Sequence, residues 1–293
     1  MALDVPGIQR NLRKLRKLLK KAPRRPTPEH VHDLRTHTRR FEATVEALGL
    51  DGGRNERRLI SRLGTLRKRA GKVRDMDVLT GHTATLALNG EQECLVELLE
   101  YLGAERYRHA RRLRFLIRRD GGVLRRRLKR ASKRIEKRMP ADSADSEVGP
   151  KEAMATALTL SSELATPAKL TRTTLHPYRL KVKNLRNVLR MAADADSNGF
   201  VARLGEIKDA IGEWHDWETL VTIAAHQLAH GPRCELLREL RTIGGRKYER
   251  ALSLTNGMRK NYLRLSVRGS LARSPRRTRP PMPVLEATAA IVS

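Results

Sequence analysis

Apolar residues along this chain recur at intervals of three and four. Ile8, Leu12, Leu15 and Leu19 open the series over residues 7–21, the spacing that turns one side of an α-helix into a core. The stretch APRRPTP ends it. Thr27 followed by Pro28 has the form of an N-cap with proline at the first helical position, and the second helix it begins runs to about Leu48, where GLDGG stops it. Residues 54–88, with Leu59, Leu63, Leu66, Ala70 and Val73 in a near-heptad stripe, predict a third helix, and a fourth is predicted from about Glu91 to Arg119. Gly121–Gly122 then punctuates the chain before the basic run VLRRRLKRASKRIEKRM. Helical patterns resume over 151–166, 173–193, 200–229 and 233–265, interrupted by Pro167, ADADSNG and HGP. No segment reads as a convincing strand, so the expected fold class is all-α.

The chain also repeats itself. LHPYRLKVKNLRNVL, 175–189, matches VHDLRTHTRRFEATV, 31–45, so that His176 falls under His32, Arg179 under Arg35 and Lys183 under Arg39. Downstream, LGEIKDAIGEWHDWETL, 204–220, matches LGTLRKRAGKVRDMDVL, 63–79, bringing Gly212 under Gly71, Asp216 under Asp75 and Lys208 under Arg67. KYERA, 247–251, then matches RYRHA, 106–110. Three matched blocks in the same order predict an internal duplication: two similar halves of about four helices each, facing one another through a pseudo-twofold relation. PADSADSEVGP, 140–150, has a linker's composition. The expected organisation is therefore one domain over 7–265, made of halves 7–139 and 151–265. The tail 266–293, rich in proline and without sustained periodicity, is expected to be disordered.

Charge adds a partner class to this picture. Lys and Arg number 61 against 32 Asp and Glu, a net charge of +29, which calls for a polyanion: nucleic acid, an anionic membrane surface or an inorganic polyanion. Aromatic residues are only 3% of the chain, few platforms for stacking the bases of a single strand. Cys94 and Cys234 lie far apart with no C-x-x-C spacing, which argues against a disulfide framework or a thiolate zinc site and fits a reducing cytosol. No secretory leader and no apolar run long enough for a membrane span is read from the sequence.

On the second helix Leu34, Phe41, Val45 and Leu48 share the core side, while His32, Arg35 and Arg39 cluster opposite, within about 60° of one another. In the second half Tyr178, Leu185 and Leu189 point one way; His176, Arg179, Lys183, Arg186 and Arg190 point the other. A surface helix commonly carries charge opposite its core. Here, however, acids are almost absent from the stripes, so the cations repel one another without i,i+4 partners. Arg, Lys and His supply a planar donor fork, a compact ammonium and a titratable ring donor, all suited to phosphate. Residues at i, i+3 and i+7 span about 10 Å, enough for several successive phosphates of a linear chain.

VHDLRTHTRRF with GKVRDMDVL, echoed by LHPYRLKVKNLR and GEWHDWETL, resembles the conserved histidine alpha-helical domain, or CHAD, family over roughly residues 7–265. The resemblance implies two pseudo-symmetric four-helix bundles, basic helix faces lining a central groove or pore, inorganic polyphosphate as ligand and association with polyphosphate granules in the cytoplasm. Carried over position by position, it implies His32, Arg35, Arg39, His176, Arg179, Lys183 and Arg186 as polyphosphate contacts. Arg67 and Lys208 on the third helix of each half, and Arg106 and Lys247 on the fourth, are further candidates. Pro177 after the second His, and Asn184 where the first half has Arg40, depart from the repeat; Pro177 is expected in a first turn, and Asn184 implies unequal contacts from the two halves.

The remaining chemistry is read as structural. Asp75 beside Arg74, and Asp216, are taken as helix charge partners. His30, His32 and His37 lack the spacing that brings two imidazoles to one zinc ion. Gly64, Gly71, Gly205 and Gly212, inside helical patterns, are read as sites of close helix packing. A phosphohydrolase would need clustered carboxylates or a positioned nucleophile, and the sequence offers neither, so a noncatalytic protein without metal or cofactor is expected. A second reading, a helical RNA- or DNA-binding protein, rests on residues 101–140, with 16 Lys or Arg against 3 acids, and on the Arg-rich tail, which adds nonspecific nucleic-acid affinity.

Overall fold

The computed structural model describes residues 4–49, 53–86, 92–138, 148–166, 169–190, 199–228 and 234–263, and among them the chain is helical, with no strand. The helices are α1 (Val5–Lys20), α2 (Pro28–Ala47), α3 (Arg54–Ala84), α4 (Gln92–Arg138), α5 (Val148–Ala165), α6 (Arg172–Leu189), α7 (Phe200–Gln227) and α8 (Glu235–Met258), the last running into a π-helical turn, Arg259–Leu263. Their starts are written locally. The Asp4 carboxylate accepts from Gly7 N at 2.8 Å to cap α1, and Thr27 Oγ1 accepts from His30 N at 3.2 Å to cap α2 ahead of Pro28. Thr171 and Thr174 form a reciprocal capping box on α6.

Several boundaries differ from the sequence expectation; α3, for one, ends at Ala84 and not at 88. Helix α4 passes straight through Gly121–Gly122 and runs for 47 residues, about 70 Å. Leu113, Leu116 and Ile117 before the glycines and Leu124, Leu128 and Ile135 after them stay on one buried stripe, and that burial outweighs the ~1 kcal/mol each glycine costs in a helix. Helix α5 begins at Val148, so the last three residues of the expected linker are helical; the rest of it, 140–147, and the tail 266–293 lie outside the described residues. Pro177 is the sixth residue of α6, beyond the first turn where it was expected, so it cannot donate to the Thr173 carbonyl one turn back.

Helices α1–α4 surround one apolar cluster, built on Leu12, Leu15, Leu34, Phe41, Leu63, Leu66, Leu113 and Leu128. Helices α5–α8 surround a second, built on Leu175, Tyr178, Val182, Leu185, Leu204, Ile207 and Ile211. A third cluster is shared: Leu79 of α3 and Cys94, Leu98 and Leu102 of α4 pack with Trp217, Leu220, Leu236 and Leu240 of α7 and α8. Full burial of such a side chain contributes about 1.5–3 kcal/mol, so this shared cluster fixes the two halves against each other. It also brings α2 onto α6 and α3 onto α7, which places the two basic stripes in one region.

Candidate functional site

The basic sides of α2 and α6, with the adjoining parts of α3 and α7, line a cleft of about 590 Å³. Helix α2 contributes His32, Arg35, Arg39 and Arg40; helix α6 contributes His176, Arg179, Lys183, Arg186 and Arg190; α3 and α7 add Arg74, Asp75, Lys208, Asp209, His215 and Asp216. Nine Lys or Arg therefore face three aspartates across one opening. Two neighbouring hollows share residues with the cleft. The cleft shares Arg40, Asn187 and Arg190 with a hollow of about 640 Å³ that reaches Asn11 and Lys14 of α1, and it shares Arg74, Arg179 and Asp216 with one of about 630 Å³ that reaches Arg250 of α8.

Glycines set the arginines of the second half. Arg179 Nε donates to the Lys208 carbonyl at 3.0 Å, and its guanidinium lies where a Cβ on Gly212 would stand 2.2 Å away. One α6 repeat later, Arg186 Nε donates to the Val201 carbonyl at 3.2 Å over Gly205, whose Cβ would meet the guanidinium at 3.1 Å. Each arginine thus uses one donor on the α7 backbone, which fixes its plane. Gly205 and Gly212, read from sequence as helix-packing sites, make room for these side chains instead. In the first half the counterparts are looser: a Cβ on Gly71 would stand 3.7 Å from Arg35, and Arg35 approaches Asp75 at 3.7 Å.

Like charges crowd this space. Lys183 is held down to about 6 by burial first, then by Arg179, Arg39, Arg35 and Lys208. Burial, followed by Arg35 and Arg67, lowers Arg39 to about 10; it stays protonated at neutral pH. Asp216 is raised to about 6 by burial, with Asp75 adding to the shift and Arg179 opposing it. The rings of His176 and His215 lie 3.8 Å apart, and His215 is lowered to about 4 by burial and by His176, Arg179 and Lys183. His176 is lowered by burial, then by Arg179 and Lys183. Burial, with crowding by like charges added to it, thus disfavours the charged form of one of the cleft's own lysines near neutral pH. Among the described residues, His176 Nδ1 and Asn187 Nδ2 are buried without a hydrogen-bond partner, two further polar groups on the same lining.

Of the residues singled out from sequence, His32, Arg35, Arg39, His176, Arg179, Lys183, Arg186 and Lys208 come together on this lining. Lys208 also pairs with the exposed Asp209 at 2.5 Å. Arg67, Arg106 and Lys247 are not on it: Arg67 pairs with Glu42 at 2.6 Å, Arg106 with Asp77 at 2.6 Å and the Pro26 carbonyl at 3.0 Å, and Lys247 with Glu213 at 2.7 Å. These pairs tie α3 to α2 and α4, and α7 to α8. The lining also holds Arg40, Arg74, Arg190, His215, Asp75 and Asp216, none of them among the candidate contacts. The matched Gly-x-x-Arg/His-Asp blocks carried the signal for four of these. The histidines weighed as zinc ligands diverge: His32 faces the cleft while His37 Nδ1 bonds Asn11 at 2.6 Å. Among the described residues no group of three or more His, Cys, Asp or Glu is placed to hold a metal ion, and no helix is long and apolar enough to cross a membrane.

Among the described residues the fold is helical, with a cationic cleft where α2 meets α6 and α3 meets α7. The CHAD domain family matches residues 7–225, 219 of the 293 in the chain, and the protein belongs to that family. No curated protein matches the chain.

Proposed function

We propose that this protein binds inorganic polyphosphate in the cleft between α2 and α6, as a noncatalytic module that attaches to or scaffolds polyphosphate granules in the cytoplasm. The observation that carries this reading is the convergence of both basic stripes on one opening, with nine Lys or Arg against three aspartates. A linear polyanion of repeating phosphates suits this lining, because each added phosphate meets another cation along the 10 Å or so of each stripe. The two halves, 7–139 and 151–265, are read as pseudo-symmetric four-helix bundles that clamp the chain from either side.

His32, Arg35, Arg39, His176, Arg179, Lys183, Arg186 and Lys208 are the proposed contacts, with Arg40, Arg74 and Arg190 added from the lining. Arg67, Arg106 and Lys247 support them at one remove, by holding α3 and α7 in place. Binding by phosphate contacts releases counterions, so affinity should fall steeply with salt, as it does for nucleic acids. Competition between labelled long-chain polyphosphate and duplex or single-stranded nucleic acid, across a salt series, tests the reading. The Arg35→Ala/Arg179→Ala protein should lose its preference for polyphosphate. A double variant that binds polyphosphate as the parent does, or a parent affinity that stays flat from low to high salt, overturns it.

A further inference from the structure

The cleft leaves one large cationic surface unused. No residue of α4 lines it, yet α4 carries the densest basic run in the chain. Ten aromatic residues occur in the sequence, and the two most exposed both lie on this helix: Tyr107 at 59% and Phe115 at 67%. They are eight residues apart, so they project from the same side about 12 Å from each other along the axis. Arg111 stands between them, its guanidinium carbon 5.9 Å from the Tyr107 ring centroid. Arg108, Arg112 and Arg118 flank the line and are exposed. Beside Phe115, Arg114 and Arg118 join Arg24 around a small hollow of about 170 Å³.

We propose that this outer face of α4 is a second binding site, separate from the cleft, for single-stranded nucleic acid. Exposed rings cost solvation and add nothing to a protein whose only ligand is a chain of phosphates, because polyphosphate has no flat apolar surface to stack on them. A base does, and guanidinium planes between the rings accept stacked bases as readily as they pair with phosphate. A duplex is held through phosphates and groove edges and makes no use of two isolated rings. An anionic membrane fits less well. A helix lying on a membrane presents a broad apolar face, whereas beside and beyond the two rings Leu113, Leu116, Ile117 and Leu124 are turned into the core. Overall aromatic scarcity thus conceals a local arrangement, two rings spaced by an arginine on an otherwise basic surface.

Because polyphosphate lacks bases, the rings separate the two ligands cleanly. The experiment titrates the full chain against fluorescent oligouridylate and oligoadenylate, labelled polyphosphate, and phosphatidylserine vesicles at near-physiological salt. Tyr107→Ser/Phe115→Ser should weaken oligonucleotide binding by roughly five- to a hundredfold, the range for losing one stacked base, or more where both rings stack, and leave polyphosphate binding within twofold. Arg35→Ala/Arg179→Ala should do the converse, so failure at the cleft and failure on α4 are read independently. In Phe115→Trp, which keeps a ring at the site, oligonucleotide should quench the added tryptophan fluorescence. The proposal is overturned if the parent protein does not bind oligonucleotide, if the serine variant binds it unchanged, if the Phe115→Trp signal does not respond, or if the serine variant loses vesicle binding instead.

Discussion

In the first half Arg67 pairs with Glu42 at 2.6 Å, joining α3 to α2. In the second half the position matched to Glu42 is Arg186, which lines the cleft and donates to the Val201 carbonyl at 3.2 Å. The residue matched to Arg67 is Lys208, also on the lining, whose acidic neighbour is the exposed Asp209 of its own helix. One half uses its α3 cation to tie helices together, while the other turns the same position toward the opening. Between these positions matched in sequence, one residue therefore decides whether the neighbouring cation ties two helices together or lies on the cleft lining. The second half should dominate binding, and each variant below tests that inequality.

Arg186→Glu gives the second half the acid that the first half has, and should have the largest effect. It removes a cation on the cleft lining and places an anion where phosphate is expected, a loss of about 2 kcal/mol or roughly 30-fold in polyphosphate affinity. Calorimetric titration at fixed salt measures it, with a thermal melt to confirm that the fold survives. An affinity within threefold of the parent would make the two halves equivalent and dissolve the comparison.

Acidification should produce the next largest change. Lys183, held near about 6, is mostly neutral above that pH and charged below it; Asp216, raised to about 6, is charged above and neutral below. Lowering the pH from 8 to 5 thus adds nearly two positive charges to the cleft, and polyphosphate affinity should rise about tenfold. At pH 7 binding should take up protons, visible as a dependence of the calorimetric enthalpy on the buffer's ionisation heat. Lys183→Met should flatten the pH profile and raise the melting temperature by a few degrees. In the parent, the unfolded chain keeps this lysine protonated up to about pH 10 while the folded one does not, so at neutral pH its burial weakens the fold.

The difference in how arginine meets glycine gives a third contrast. Alanine at Gly212 would bring a Cβ to 2.2 Å from the Arg179 guanidinium, whereas at Gly71 the corresponding distance to Arg35 is 3.7 Å, ordinary contact. Each substitution favours the helix by up to ~1 kcal/mol, and the Arg179 guanidinium is the far end of a long side chain that can swing aside. Gly212→Ala should therefore preserve or raise the melting temperature while weakening polyphosphate about fivefold, and Gly71→Ala should stabilise without weakening binding. Equal binding losses from the two alanines would show that the glycines do not orient the arginines.

These contrasts also mark how far the sequence could be read. The three-and-four spacing located the helices because each buries one side, and the charge opposite that side named part of the cleft: His32, Arg35, Arg39, His176, Arg179 and Lys183 all lie on it. Where reading depended on how helices cross, it stopped. The matched blocks marked Arg74 and Asp75 on α3, and His215 and Asp216 on α7, but their place on the lining depends on α3 meeting α7 beside the shared cluster around Leu79 and Trp217, an approach that no local pattern encodes. Likewise Gly121–Gly122 has the composition of a break, and only the continuous buried stripe on either side shows why α4 persists. Arg106 and Lys247 matched across the repeat, but a match in sequence does not distinguish a cation facing a ligand from one facing Asp77 or Glu213.

Glu42→Gln approaches the same inequality from the first half and should have the smallest effect. Burial raises the Glu42 carboxyl above its ordinary value, and the charge and hydrogen bond of Arg67 oppose that rise. The amide keeps the shape and an acceptor for Arg67 but removes the charge. Arg39, already lowered by burial and by neighbouring arginines, loses the one acid that supports it, and the positive potential at the α2 side of the cleft rises. Polyphosphate affinity should increase about threefold, by ~0.6 kcal/mol, while the melting temperature falls by a few degrees as the α2–α3 ion pair weakens. Opposite movement of the two readouts is the signature of a cation held for structure at the expense of ligand. If affinity drops together with stability, Glu42 acts only by shaping α2, and Arg67 contributes nothing to the cleft's field.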